Sequence, residues 1–457
     1  MVSAAAAPAH ATSGLSFPAH TPMTEDMADP SQQKLGKDRP DRRGAFRLLF
    51  FALLAVGAGN TMLVSAILPP LSRDLGLPDW MAGAIFSLSA ALWAITSSFW
   101  GRKSNDWGRR PVAALGMLGF SVSMLLFGTS AALAMAGYLQ SSLVIFICLL
   151  SSRTLFGLFG SGTNPAAQAY IADRTSREKR TEEIASLTSG FSFGAVAGPA
   201  FAAAAGAVFG LLTPVFMISA AAAVLSFLIF TRLPEKTPPK KEVGLKSSGK
   251  KEGDGLWRDP RVLPFLIFAV LLSVVTGVLT QTFAFAIMDK IGVDGAEAMQ
   301  FTGPAYTVGA AGTLISQLVI IPRLKMTNRT LMITGALTLS LGAFLIVPTN
   351  EFAVLVLAQF FVGIGQGLAR PGFSSGASLA VGSSLQGNVA GLVISANGTG
   401  FIVSPFFGPW MYENVHQSAP FIGAGVLLVA MAIFARKVFP ANQVYQDDPD
   451  DTPEIYD

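Results

Sequence analysis

Apolar residues in this chain gather into twelve runs, each about long enough to cross the ~30 Å hydrocarbon core of a bilayer as a helix. They lie near residues 46–70, 80–100, 111–136, 141–170, 184–208, 211–231, 262–287, 298–321, 329–348, 352–373, 385–410 and 419–439. The polar stretches between them are short, except for a Lys/Glu/Gly-rich segment at 232–261 that reads as a flexible linker. The pattern predicts an all-α integral membrane protein with a six-helix bundle at 46–231 and a second at 262–439. Residues 1–45 are Ala/Pro/Ser/Thr-rich and then basic, and are expected to be a disordered cytoplasmic tail, with Met23 or Met27 as alternative starts. Residues 440–457 read as an acidic cytoplasmic tail.

An internal repeat supports the division into six and six. A shift of 206 residues aligns Gly157 with Gly363, Pro165 with Pro371, Gly194 with Gly400 and Pro199 with Pro405. Parallel repeats with a site between them near the midplane are one way transporters are built. The same shift relates two polar stripes. Arg153, Gly157, Gly160, Asn164 and Gln168 are spaced to share one helical face of the fourth span. Gln359, Gly363, Gln366, Arg370 and Ser374 hold the equivalent positions in the tenth. Lipid cannot satisfy such a stripe, so it is expected to face a water-filled cavity. Asn60 and Thr61 in the first span, Gln281 and Thr282 in the seventh and Asn397 in the eleventh complete the expected lining. Gly190, Gly194, Gly198 and Pro199 recur at about four-residue steps in the fifth span, where a smooth groove admits another backbone.

Composition agrees with a membrane reading. Of 457 residues, 51% are hydrophobic and only 13% charged, against about a quarter charged in a soluble domain. The net charge of +4 comes from short loops, which argues for membrane orientation rather than nucleic-acid binding. Basic residues crowd the loops after the second, fourth, sixth and eighth spans, whereas the opposite side carries only Arg73 and Lys290. Both termini are therefore expected in the cytoplasm of a cell (inner or plasma) membrane. The single Cys148 excludes an internal disulfide, and no metal site is expected. None of His10, His20 and His416 falls within a predicted span, which removes an intramembrane histidine relay.

The residues resemble the major facilitator superfamily across 46–439. Gly101-Arg-Lys-Ser-Asn-Asp-Trp-Gly-Arg-Arg110, read as the loop after the second span, is similar to that family's G-x-x-x-D-R-x-G-R-R signature. Arg153, Gly157 and Gly160 resemble its fourth-span motif. Gly190, Gly194, Gly198 and Pro199 resemble its fifth-span G-x-x-x-G-P pattern, which that family associates with proton-coupled export, and the repeat makes Gly400 and Pro405 packing positions of the second half. Tyr170 to Thr175 is similar to the tetracycline/multidrug exporter branch. The resemblance implies two pseudo-symmetric bundles, alternating access, and proton-coupled export of small amphipathic molecules or drugs by a monomer, with no cofactor and no ATP. It also implies a cytoplasmic gate at Gly101, Asn105, Asp106, Gly108, Arg109, Arg110 and Asp173, with Arg109 and Arg110 pairing with Asp173. Here the sequence departs from the signature, because Asn105 stands where the family has an acid.

Other readings are weighed on chemistry. Gly190-Phe-Ser-Phe-Gly194 matches a hydrolase nucleophile elbow, but it lies mid-span without a histidine, so no enzyme is expected. Asp74, Asp289, Glu297 and Glu413 lie toward outer span ends, which leaves two arginines and no acid in the span interiors. On Coulomb grounds that balance favours anionic or neutral substrates. An organic-anion or metabolite facilitator or symporter is the alternative, with a non-transporting membrane sensor as a third.

Overall fold

Hydrocarbon offers the backbone no hydrogen-bond partner, so a chain that crosses a bilayer repeatedly must close its N–H and C=O groups within each segment. The computed structural model describes residues 42–175, 177–235, 255–293, 295–382 and 385–439, and every regular element among them is helical. Twelve are long and apolar enough to cross a membrane. The expected tails fall outside the described residues as far as residue 41 and from 440 onward, as does 236–254 of the expected linker.

The first half holds α1 (Arg42–Met62, a π turn Leu63–Ile67, then Leu68–Asp74), α2 (Asp79–Trp107) and α3 (Arg109–Met135). It continues with α4 (Ser142–Leu158, a 3-10 turn Gly160–Gly162, then Thr163–Ala172), α5 (Arg177–Phe209) and α6 (Thr213–Arg232). The second half holds α7 (Leu263–Ile291), α8 (Gly295–Ile315, a π turn Ser316–Ile320, then Ile321–Leu324) and α9 (Asn328–Ile346). It ends with α10 (Phe352–Leu379), α11 (Gln386–Asn414) and α12 (Ala419–Val438). After twelve crossings α1 begins and α12 ends on one side, called here the terminal face; the other is the far face.

Three local features depart from the sequence reading. The signature stretch from Gly101 to Trp107 is not a loop but the last two turns of α2. Its polar residues lie beyond the apolar run, so hydropathy stops before the helix does. Gly108 then ends it at φ 102°, a region that L side chains rarely adopt. The fourth-span stripe does not share one uninterrupted helical face, because α4 is broken at Gly160–Gly162. The π turns in α1 and α8 immediately precede Pro69-Pro70 and Pro322. Proline lacks an N–H and clashes with the preceding turn, and a locally wider turn accommodates it.

The halves repeat the same internal packing. Along α5, Gly190, Gly194 and Gly198 lie against the carbonyls of Phe50, Leu54 and Ala58 on α1, leaving no room for a Cβ. Their counterpart Gly400 on α11 lies against Ser273 and Val274 of α7. Gly157 on α4 abuts the Ser89 carbonyl of α2, and its counterpart Gly363 on α10 abuts the Gly309 carbonyl of α8. The aligned prolines take equivalent places between the halves. The Pro405 carbonyl lies against Gly83 of α2, and the Pro199 carbonyl lies 3.7 Å from the Cβ position of Gly303 on α8. These two seams, α2 with α11 and α5 with α8, join the halves in their far-face portions.

Adding one methyl distinguishes a seam from open space. Gly194→Ala is expected to cost about 1–3 kcal/mol by overpacking. Gly391→Ala, where nothing lies within 4 Å of the new methyl, is expected to gain up to about 1 kcal/mol from helix propensity. Thermal unfolding of the two purified variants, followed by tryptophan fluorescence, checks the opposite signs.

Candidate functional site

The break in α4 positions the central arginine. Its freed carbonyls are taken up by α2: Trp100 Nε1 donates to the Leu158 carbonyl at 2.6 Å, and Thr96 Oγ1 donates to the Gly157 carbonyl at 2.7 Å. About two turns before the break, Arg153 is only 1% exposed. One terminal nitrogen donates to Asn60 Oδ1 on α1 at 2.7 Å. The guanidinium carbon lies 4.5 Å from the Phe156 ring centre and 5.2 Å from that of Phe86. The Nε and the other terminal nitrogen are buried and unpartnered among the described residues. A buried cation held by one amide and two aromatic faces is poorly compensated. An anion or a rearrangement that supplies acceptors is what this site lacks.

The other predicted lining residues scatter around this point. Asn164 and Gln168 satisfy each other at 3.0 Å on the second segment of α4. Gln281 on α7 and Gln359 on α10 are buried, the latter packed over Gly309 of α8. Gln366 is half-buried and Arg370 exposed. Around them α10 packs on α9 through Gly365 and Ala369, on α8 through Gly363 and Gly367, and on α7 through Gly376. Asn397 belongs to the α7–α11 seam, where it accepts from Ser273 at 2.9 Å and donates to the Val393 carbonyl at 3.1 Å. Gly160 lies under the ring of Phe156, and Gly157 is used in packing against α2.

At the terminal face, Arg109 Nε donates to Asp173 at 3.0 Å and its terminal nitrogen donates to Ser104 at 2.6 Å. Arg110 departs from the expected pairing. It goes instead to Glu235, at 3.7 Å, and lies over the Phe230 ring. Glu235 was not singled out by the sequence, yet its carboxylate accepts the backbone N–H groups of Arg109 at 3.0 Å and Arg110 at 2.9 Å. A carboxylate there satisfies orphan donors and meets the positive end of the α3 dipole. Arg174 and Tyr170 both donate to the Pro234 carbonyl. The cluster binds α2, α3, α4 and the exit of α6 to one another within the first half. Gly101 is half-buried near Pro165, whereas Asn105 and Asp106 are exposed and make no hydrogen bond or ion pair among the described residues.

Among the described residues, polar contacts cross between the halves toward the far face. Arg73, ending α1, grips Asp79 of α2 with two hydrogen bonds, at 3.1 and 2.8 Å. It also reaches both oxygens of Asp289 at the end of α7. Asp289 further accepts from Tyr412 at 2.7 Å and Gln417 at 3.2 Å. Glu413 of α11 accepts the backbone N–H of Trp80 at 3.2 Å, and Ser87 of α2 accepts that of Phe406 at 3.0 Å. Sequence reasoning missed this network. The available signal was that the two bases on that side, Arg73 and Lys290, stand beside acids in an apolar setting.

The family model described as Major Facilitator Superfamily matches residues 49–327 and, again, 286–455. The chain is 27% identical over 388 residues to Multidrug resistance protein 1 of Bacillus subtilis (strain 168), covering 83% of this chain and 91% of that protein. It is 25% identical over 404 residues to Tetracycline resistance protein, class B, of Escherichia coli, covering 85% and 92%. Among solved structures it is similar to a bacterial homolog of the human lysosomal transporter Spinster in an inward-facing and occupied conformation. That likeness has a TM-score of 0.66 at 16% identity, covers 88% of this chain and 97% of that one, and shows the fold alone.

Two substitutions separate clamp from centre. Glu235→Ala is expected to cost about 0.5–2 kcal/mol by uncapping α3, read as a lower melting temperature. Arg153→Met removes a poorly compensated charge at similar volume. It is expected to leave the melting temperature unchanged or raised while abolishing flux in reconstituted vesicles.

Proposed function

We propose that this chain, which belongs to the Major Facilitator Superfamily, is a proton-coupled exporter of small amphipathic molecules or drugs. It is a multi-pass membrane protein, and relatives named for multidrug and tetracycline resistance align with most of its length. The excess of Lys and Arg at the terminal face supports a cytoplasmic position for that face. On that orientation the conformation is inward-facing. The observation that carries this reading is the far-face network of Arg73, Asp79, Asp289 and Glu413 joining the halves, while Asn105, Asp106 and Arg370 stand exposed nearer the terminal face. Transport then proceeds by rocking one rigid half against the other, with the far-face contacts breaking as the terminal face closes. One chain supplies both halves of the path, which supports a monomer. The proton gradient rather than ATP supplies the drive, in the inner or plasma membrane.

A second reading has its own support. Arg153 has two unpartnered buried nitrogens, and Arg370 stands exposed without a partner among the described residues. Two cations without a neighbouring acid favour an organic anion as cargo.

Inside-out vesicles with an acidic lumen, carrying a pH-sensitive dye, test both readings. Amphipathic cations, neutral drugs and organic anions are added in turn. Proton-coupled export is expected to discharge the gradient for at least one class, with accumulation abolished by an uncoupler. Accumulation that an uncoupler leaves unchanged overturns the coupling, and equilibration of organic anions alone supports the second reading.

A further inference from the structure

We propose that the acidic carboxy-terminal segment 440–457 docks on a basic rim at the terminal face of the second half, as its built-in counter-ion. The rim forms where α8 turns into α9 and where α12 ends. Arg323 stands in the last turn of α8 and Lys325 just after it, while Arg436 and Lys437 stand in the last turn of α12; all four are exposed. Arg329 of α9 ties the two places together by donating to the Arg436 carbonyl at 2.6 Å. The Nε of Arg329 is buried there with no partner among the described residues.

The two halves treat their terminal-face bases differently. The first half neutralises Arg109 with Asp173 and Arg110 with Glu235. The described acids of the second half are Asp259, Asp289, Glu297, Glu351 and Glu413. Only Asp259 lies toward the terminal face, and it pairs with Arg261. Arg323, Lys325, Arg436 and Lys437 make no ion pair among the described residues. Gathering like charges costs energy, which an anionic partner relieves.

Charge and reach select that partner. Three long stretches of chain lie outside the described residues. Residues 1–41 carry three bases and five acids, 236–254 six bases and three acids, and 440–457 six acids and no base. The last of these continues from the end of α12, at the rim itself. Its first acid, Asp447, lies eight residues past Phe439, and eight residues span at most about 26–29 Å. Packed helices stand about 8–10 Å apart, so the acids reach the α8–α9 turn with chain to spare. Carboxylates there accept charge-assisted hydrogen bonds from the rim guanidinium and ammonium groups. An occupied rim is closed to anionic lipid headgroups, its other source of negative charge. The docking is independent of which cargo moves and of what drives it.

The test uses the full chain carrying Cys148→Ser, with spin labels on cysteines introduced by Leu324→Cys and Thr452→Cys. Leu324 is 64% exposed between two rim cations, and Thr452 lies among the tail acids without being one. In nanodiscs of neutral or of anionic lipid at low salt, double electron–electron resonance is expected to give one short, narrow distance. At about 1 M salt, where the Debye length falls to about 3 Å, the narrow component is expected to be lost. It is also expected to be lost when Arg323→Gln, Lys325→Gln, Arg436→Gln and Lys437→Gln are combined. A second variant combines Asp447→Asn, Asp448→Asn, Asp450→Asn, Asp451→Asn, Glu454→Gln and Asp457→Asn; it leaves every described residue unchanged and is expected to give the same loss. A broad distance in the labelled parent at low salt overturns the proposal, and so does a narrow one that survives either neutralised variant. A narrow distance in neutral lipid that disappears in anionic lipid gives the rim to lipid headgroups and overturns it too.

Discussion

Close approach of backbones at glycine is the constraint on which the rest of this structure depends. Lipid tails are as apolar as leucine, so helices inside a membrane gain little from hiding apolar side chains and associate through tight packing and polar contacts instead. On α5, glycines meet successive α1 carbonyls one turn apart, and α11 meets α7 through their counterpart. Ser121 and Ser219, and Ser226 with the Ala114 carbonyl, add buried hydrogen bonds between α3 and α6. Each half is thereby held together by close packing and buried hydrogen bonds. Among the described residues, the contacts that cross between the halves are one ion pair, single hydrogen bonds and two seams that again use glycine. Rigid within and separable between is what alternating access demands of a two-bundle transporter.

Much of this was legible in the sequence because the membrane imposes a coarse, periodic signal. Twelve runs of sufficient length became twelve helices, and the repeat at 206 residues became equivalent helix pairings in the two halves. What escaped was whatever hydropathy does not encode. The polar last turns of α2 resembled a loop because they lie past the apolar run. The 3-10 break in α4 is stabilised by Trp100 and Thr96 of another helix, about 60 residues earlier in the chain. Arg110 found Glu235 across 125 residues and Arg73 found Asp289 across 216. Pairings over such distances arise from tertiary approach and leave no periodic trace.

Arg153 illustrates the difference between finding a residue and knowing its state. A lone arginine in an apolar run marks a functional interior by default, and the sequence singled it out on that ground. The structure adds that, among the described residues, Asn60 is its one hydrogen-bond partner through the side chain and that two phenylalanine rings flank it. Stability alone would not favour such an arrangement.

The seams and the far-face contacts respond differently to the surrounding fluid. Glycine packing takes place out of reach of dissolved ions, whereas the Arg73–Asp289 pair is partly wetted. Salt screens exposed charges but reaches a partly buried pair in direct contact much less. Only the wetted edge of the far-face closure is therefore open to the salinity of the medium that bathes it, and the seams beneath it are not.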